Sequence, residues 1–184
     1  VVMKFGGTSV ADVKKIENIS NTIVKQQQNY KVVVVLSAMA GVTNNLQSYI
    51  DEIDVEPSKE TDLVMTSGEQ VTIGLLSMIL NKKGIKSIPL LGWQIPIITD
   101  DSYSKARILN IDSKKIFDFF KENEVIVLAG FQGINIKGNI TSLGRGGSDT
   151  TAVAIASAIK AERCDIYTDV DGVYTTDPNL EPKA

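Results

Sequence analysis

The sequence of 184 residues contains no histidine and a single cysteine, Cys164. Without histidine, the chain cannot use a histidine general base, a histidine-containing catalytic triad or a histidine metal site. A lone cysteine cannot form a disulfide within the chain. This suits a reducing compartment, and we therefore expect a cytoplasmic protein.

Long apolar runs and a large excess of one charge are also missing. The longest apolar runs, such as residues 32–36, have the length of a strand and fall far short of the roughly 20 residues of a membrane span. Residues 1–4 do not have the pattern of a signal peptide. The net charge of −3 gives no reason to expect nucleic acid or a membrane surface as a partner. The 43% of hydrophobic residues are enough for one globular domain with its own core.

The familiar nucleotide-binding fingerprints are absent as well. The sequence has neither the Walker A spacing nor the G-x-G-x-x-G dinucleotide fingerprint. It also lacks the HRD and DFG motifs of protein kinases. If the chain binds ATP, it must do so with other elements.

Strand-like and helix-like segments alternate along the chain. Short apolar runs predict strands at residues 1–5, 31–36, 85–91, 108–111, 125–131 and 164–168, and a hairpin at 134–140. Ser9 and Asp12 resemble a capping box, and a helix is predicted from there to residue 28. Helical spacing predicts further helices at 43–53, 62–83, 113–123 and 150–161. Residues 92–101 are punctuated by glycine and proline, and no strand or helix is predicted there. The alternation predicts one α/β domain whose mostly parallel sheet is covered on both faces, with ligands at the carboxyl ends of the strands.

The first glycine-containing loop, residues 4–9, follows a predicted strand. Gly6 and Gly7 let backbone N–H groups approach an anion, and the N-terminus of the next helix favours negative charge. Lys4 adds a full positive charge at the same place. The alternative is a tight turn that happens to lie near a lysine.

A second loop, residues 144–150, places Arg145 among three glycines. A guanidinium can hold a carboxylate or a phosphate with two parallel hydrogen bonds. Ser148 or Asp149 could instead be the N-cap of the following helix. A cap does not explain an arginine between glycines, so we interpret the segment as a binding loop.

A third segment, residues 167–178, is dense in acids and hydroxyls. These groups could hydrogen-bond a ribose and a base. By composition alone, a solvated connection that turns at Asp171 and Gly172 is the favoured interpretation.

Six segments, in this order, resemble the aspartokinases of the amino acid kinase superfamily: residues 4–9, 37–43, 67–69, 129–133, 144–150 and 168–178. The resemblance spans the whole chain. It implies the amino acid kinase (carbamate kinase-like) fold, an open, mostly parallel sheet between helical layers. It also implies a phosphotransferase with a carboxyl acceptor, which converts L-aspartate and ATP to 4-phospho-L-aspartate. That reaction begins the biosynthesis of lysine, diaminopimelate, threonine and methionine.

The resemblance further implies roles for individual residues. The catalytic residues would be Lys4 and Asp149, with Asp149 orienting the lysine side of the site rather than acting as a base. ATP would contact Lys4, Phe5, Gly6, Gly7, Thr168, Asp169, Tyr174, Asp177 and Pro178. Aspartate would contact Ser37, Thr43, Glu69, Arg145, Gly146, Gly147 and Ser148. In the family pattern, Glu69 pairs with the α-amino group and Arg145 with a carboxylate.

These residue types suit the formation of an acyl phosphate. An aspartate side chain, with a pKa near about 3.9, is already ionised at neutral pH and needs no general base. Catalysis then depends on positioning and on neutralising charge. Mg²⁺ would arrive with ATP and be held mainly through the phosphates, and we predict no dedicated metal site.

Aspartokinases continue after the segment that matches residues 168–178, with a second lysine at the phosphoryl site and regulatory ACT domains. We therefore expect residues 1–184 to be a C-terminally incomplete kinase domain whose full-length parent forms a homo-oligomer. Alone, the segment should bind weakly or turn over slowly. Three alternatives stay open: an acetylglutamate, glutamate or uridylate kinase; a non-catalytic nucleotide or amino-acid binding module; and a plain α/β domain with turn-rich loops.

Overall fold

The computed structural model describes residues 1–168, which contain nine strands and six α-helices. In chain order they are β1 (Val2–Phe5), α1 (Val13–Gln27), β2 (Val32–Leu36), α2 (Val42–Ile53), α3 (Lys59–Met65), α4 (Gly68–Lys82), β3 (Ser87–Leu90), β4 (Ile97–Thr99), β5 (Ile108–Ile111), α5 (Ser113–Phe119), β6 (Val125–Ala129), β7 (Gln132–Asn135), β8 (Ile140–Ser142), α6 (Gly147–Ala158) and β9 (Cys164–Tyr167). A short 3-10 helix, Gly7–Val10, follows β1.

The central sheet has five strands in the order β3-β6-β2-β1-β9, and every pair is parallel. The valine-rich strands β2 and β6 are buried along their whole length, because helices or other strands cover both faces. One face packs on α1 and α4, and the other packs on α5, α6 and the residues around β4. The predicted α/β fold with a mostly parallel sheet between helices is thus confirmed.

A second, mixed sheet has the order β5-β4-β7-β8. The predicted hairpin is its β7–β8 pair, which turns at Gly138 with a positive φ of 81°. No strand was predicted over residues 92–101, but that stretch contains β4. A three-residue strand is too short to show a period. Its packing depends on Gly133, where a Cβ atom would lie 2.7 Å from the Ile97 carbonyl oxygen.

The single helix predicted over residues 62–83 is two helices, α3 and α4, separated at Thr66 and Ser67. The Thr66 hydroxyl donates to the Asp62 carbonyl, and the Thr66 carbonyl accepts a hydrogen bond from the Gln132 side chain at 3.2 Å. A tertiary contact therefore stabilises the break between the two helices. The spacing of apolar residues in the sequence could not reveal this break.

The start of α1 also differs from the predicted capping box. Asp12 is the N-cap residue, and its side chain accepts a hydrogen bond from the Lys15 N–H at 2.8 Å. Ser9 lies earlier, within the 3-10 helix. Asp12 is thus the cap itself, whereas the predicted capping box made Ser9 the cap and Asp12 its partner.

By length and composition alone, the helical stretch Lys59–Lys82, which comprises α3 and α4, could cross a membrane. Core helices of globular proteins pass the same test. In α4, the side chains of Ile73, Leu76 and Leu80 pack into the core beneath the central sheet. The stretch is therefore weak evidence for a membrane span.

Candidate active site

Lys4 lies near the carboxyl end of β1, between β2 and β9. Side chains alternate along a strand, so Met3 and Phe5 pack on the α1 side while Lys4 faces α6. Its ammonium is 2.7 Å from Oδ1 of Asp149, and the lysine is only 8% exposed. Asp149 stands in the first turn of α6, where the helix dipole favours a negative charge.

The glycines after Lys4 allow two loops to meet. A Cβ atom on Gly7 would lie 2.9 Å from the Ala38 carbonyl oxygen, so only glycine permits this approach. A Cβ atom on Gly6 would lie 3.5 Å from the Lys4 ammonium, and the Gly6 N–H donates to the Tyr167 carbonyl at 3.3 Å. The ring of Phe5 stacks on Tyr167 away from the Lys4 side, which leaves only the Phe5 backbone near the loop.

Glu69 is buried at the start of α4, with 2% of its surface exposed. Its Oε1 accepts a hydrogen bond from the Ala38 N–H at 3.1 Å, while Oε2 has no hydrogen-bond partner among the described residues. Burial raises the pKa of this carboxyl to about 7, against the smaller lowering effect of the N–H groups of Glu69 and Ala38. Gly68 permits the close packing, because a Cβ atom there would lie 2.7 Å from the Ala38 Cβ.

The Arg145 loop connects β8 to α6 and turns through left-handed backbone at Gly144 and Gly146, with φ of 74° and 73°. The helix begins at Gly147, earlier than predicted, and its N-cap is Gly146 without a side-chain cap. Neither Ser148 nor Asp149 is therefore the cap that the alternative interpretation required. Arg145 is exposed and makes no ion pair within residues 1–168.

These groups surround one cavity of about 200 Å³. Every residue predicted for catalysis or for aspartate binding lines it: Lys4, Ser37, Thr43, Glu69, Arg145, Gly146, Gly147, Ser148 and Asp149. Phe131 and Gly144 complete the lining. Among residues 1–168, the cavity thus offers a buried carboxylate oxygen without a partner, a guanidinium without an ion pair and a lysine–aspartate pair. Such a set suits a small molecule that carries charges of both signs.

The amino acid kinase family model matches residues 1–184. The chain belongs to the amino acid kinase family. Among curated relatives, the aspartokinase of Bacillus sp. (strain MGA3) is 53% identical over 186 aligned positions, which cover 100% of this chain and 45% of the relative. The chain thus spans about half the length of the curated relatives it matches. The resemblance to aspartokinases inferred from the six sequence segments is confirmed.

Solved structures of the same family are also similar. Aspartokinase III of E. coli, in complex with aspartate and ADP, matches with a TM-score of 0.81 and 28% identity over 97% of this chain and 51% of that chain. Aspartate kinase from Synechocystis matches with a TM-score of 0.78 and 43% identity over 99% of this chain and 30% of that chain.

In this amino acid kinase, the predicted nucleotide residues are only partly described. Thr168 follows β9, whose last residue, Tyr167, pairs with Phe5 of β1, so Thr168 leaves the sheet at the edge where the first loop begins. The others lie outside the described residues: Asp169, Tyr174, Asp177 and Pro178. Within residues 1–168, no cluster of three or more acidic, cysteine or histidine side chains could hold a metal ion.

Phe131 lines the cavity of this amino acid kinase, although the sequence analysis gave it no role. It has a positive φ of 68°, its N–H donates to the Thr151 hydroxyl, and its carbonyl accepts from the Leu143 N–H. A Cβ atom on Gly147 would lie 2.8 Å from its ring. The glycines on both sides of Phe131, at positions 130 and 133, were the only sequence signal of unusual backbone here.

Proposed function

We propose that the full-length protein transfers the γ-phosphoryl group of ATP to the side-chain carboxylate of L-aspartate, giving ADP and 4-phospho-L-aspartate. The observation that carries the proposal is that one cavity is lined both by a Glu69 oxygen and by an Arg145 guanidinium that have no partner among residues 1–168. The aspartokinase relatives, of which this chain spans 45%, support the same reaction. Residues 1–184 would then be a kinase domain that lacks its C-terminal part, acting at the start of the lysine, threonine and methionine pathways.

Glu69 and Arg145 would hold the substrate in one orientation. The α-ammonium of aspartate would supply the partner that Glu69 Oε2 lacks, and its charge would lower the raised pKa of Glu69. Arg145 would bind a substrate carboxylate with its two-pronged guanidinium. The hydroxyl-bearing residues Ser37, Thr43 and Ser148 line the same cavity and can add hydrogen bonds. A substrate lacking the ammonium would leave Oε2 of Glu69 buried without a partner from residues 1–168.

Phosphoryl transfer would then need no proton transfer. A carboxylate oxygen of aspartate forms a bond to the γ-phosphorus, the bond from that phosphorus to the β,γ-bridging oxygen breaks, and ADP leaves with the electron pair. Lys4 would neutralise negative charge on the phosphate oxygens, and its positive charge would be needed most in the transition state. Asp149, 2.7 Å from the lysine ammonium, would keep Lys4 pointed at the cavity.

ATP would lie beside the substrate, at the edge of the sheet where the loop after β1 begins and where Thr168 follows β9. We assign the phosphates to Lys4, Gly6 and Gly7, and the rest of the nucleotide to Thr168 and residues 169–178. The E. coli relative, which was solved with aspartate and ADP, supports the use of a nucleotide. Mg²⁺, which neutralises phosphate charge when bound, would be held mainly through the phosphate oxygens. A cytoplasmic location agrees with the single, unpaired Cys164.

The test is a substrate panel with the full-length protein. ADP release is followed with L-aspartate, L-glutamate, N-acetyl-L-glutamate and uridylate as acceptors. Hydroxylamine traps an acyl phosphate as a hydroxamate. We expect ADP release and equal amounts of hydroxamate with L-aspartate. Release of ADP with N-acetylglutamate or uridylate but not with aspartate would refute the proposal. ATP and aspartate binding without any ADP release would favour a non-catalytic module.

A further inference from the structure

Outside the cavity, the described residue with the most unusual set of contacts is Asp62 of α3, which is 1% exposed. Its Oδ1 accepts hydrogen bonds from the Ser104 N–H at 2.9 Å and the Ser142 hydroxyl at 2.9 Å. Its Oδ2 accepts from the Ser142 N–H at 2.7 Å and the Ser104 N–H at 3.1 Å. No cation pairs with it within residues 1–168. Both oxygens are therefore occupied by neutral donors.

Through Ser142, Asp62 holds the base of the Arg145 loop. Ser142 is the last residue of β8, three positions before Arg145, and all its polar groups are engaged. Its N–H and hydroxyl donate to Asp62, and its carbonyl accepts from the Ala106 N–H at 2.8 Å. The strand end therefore cannot shift without breaking the contacts to Asp62.

Ser104 supports the same loop from its other side. It has a positive φ of 64°, and its N–H points at Asp62. Its carbonyl oxygen lies 3.0 Å from the position that a Cβ atom on Gly144 would occupy. Gly144 thus packs against a segment that the same carboxylate fixes.

On the helical side, Asp62 belongs to the segment that carries Glu69. The Thr66 N–H and hydroxyl both donate to the Asp62 carbonyl, at 3.0 and 2.8 Å. Gln132 of β7 fixes the Thr66 carbonyl at 3.2 Å, and α4 starts two residues later. One residue therefore ties the helix pair that carries the ammonium-binding group to the loop that carries the guanidinium.

We propose that Asp62 is a positioning residue that fixes the Arg145 loop relative to Glu69, and so sets the affinity for the amino diacid. An apolar side chain at position 62 would leave the Ser104 and Ser142 N–H groups without this acceptor and would not join their two segments. A carboxylate can accept from two separate segments at once, and these two flank Gly144. The inference rests on the proposed function for the identity of the ligand.

The experiment compares Asp62→Ala and Asp62→Asn in the full-length protein, with Asp100→Ala as the control. Asp100 holds the segment 100–107, which carries Ser104, by accepting from the Ser102 and Arg107 N–H groups, but it has no hydrogen bond to α3 or β8. The readouts are the KM for L-aspartate, the KM for ATP, the fraction of folded protein, and amide hydrogen exchange of residues 142–147.

We expect Asp62→Ala to raise the aspartate KM roughly tenfold or more, because a displacement of about 1 Å in a binding group has effects of this order or larger. Asparagine keeps one acceptor oxygen, so its effect should be smaller, roughly threefold. The ATP KM should stay within about twofold, and residues 142–147 should exchange faster. Asp100→Ala should leave the aspartate KM unchanged.

An aspartate KM within about twofold of wild type in every Asp62 variant that folds would overturn the inference, and a loss of folded protein alone would mean a structural role. If Asp62→Ala fails to fold, Asp62→Asn decides. The proposed function fails separately, when the wild-type protein releases no ADP with aspartate. In that case, unchanged exchange of residues 142–147 in the variants would still refute the positioning role.

Discussion

Replacing Glu69 by glutamine should stabilise the free protein above neutral pH and weaken its binding of aspartate. Glu69 is 2% exposed, and burial raises the pKa of its carboxyl from 4.5 to about 7. Glutamine has almost the same shape, can still accept the hydrogen bond from the Ala38 N–H, and never becomes charged. The substitution removes the unfavourable ionisation of a buried group, but it also removes the charge that a substrate ammonium needs.

The sign and size of the stability effect follow from the pKa shift. A carboxyl whose pKa is raised on folding favours the folded state below pH 4.5, and this contribution is lost as the pH rises through 7. The shift is worth about 3 kcal/mol in all, of which about 2.5 kcal/mol is lost between roughly pH 5 and 8. The stability of Glu69→Gln relative to wild type should therefore rise by about 2.5 kcal/mol over that range.

Urea denaturation near pH 5 and pH 8 measures this difference, with Glu17→Gln, on the exposed face of α1, as the control. At the higher pH, the aspartate KM of Glu69→Gln should rise roughly ten- to a hundredfold, since a hydrogen bond to a charged group contributes about 1.5–3 kcal/mol. A stability difference that is the same at both pH values would contradict the assignment of the raised pKa. An unchanged aspartate KM would remove Glu69 from substrate binding.

Three further predictions follow from the same geometry. The wild-type kcat/KM for aspartate should fall about tenfold per pH unit below the Glu69 pKa of about 7, because only ionised Glu69 binds an ammonium. A kcat/KM that stays constant from pH 5.5 to 8 would contradict this. Lys4→Ala should lower kcat by roughly two to three orders of magnitude, with little change in the aspartate KM, because its charge acts most strongly in the transition state; an unchanged kcat would exclude Lys4 from catalysis. Gly68→Ala should destabilise the fold by about 1–3 kcal/mol and raise the aspartate KM, since its Cβ would lie 2.7 Å from that of Ala38. The control is Gly74→Ala in the same helix, because a Cβ atom there meets nothing within 4 Å. Gly74→Ala should leave the stability of the fold unchanged or increase it by about 1 kcal/mol. If both substitutions had equal effects on the free energy of unfolding and on the aspartate KM, Gly68 would have no special role.

The central sheet could be predicted because its strongest strands carry an unambiguous pattern. Five consecutive apolar residues in β2 and in β6 can only be buried on both faces, and helical periods lie between them. The short strand β4 has no such pattern, and its pairing depends on the missing side chain of Gly133 in a neighbouring strand. Contacts of that kind are set by tertiary packing, which local sequence does not encode.

The composition of the site was predictable, whereas its electrostatics were not. The carboxyl ends of parallel strands meet at one edge, so the loops after β1, β2 and β6 had to converge. Lys4 pairs with Asp149, and one Glu69 oxygen has no partner among the described residues. Both features depend on how closely α4 and α6 pack against the sheet. The sequence likewise offered no sign that Asp62 joins two segments forty-two and eighty positions away.

Lys4 lies on a strand whose two neighbours are separated by most of the described sequence. One neighbour, β2, begins at Val32, and the other, β9, begins only at Cys164. A chain emerging from the ribosome would pair β1 with β2 early, yet it would leave β1 as an exposed edge until β9 had been synthesised. Closing so long a loop is slow, and an unpaired edge invites association with other chains. The part of the sheet around Lys4 should thus be among the last to reach its final structure during translation.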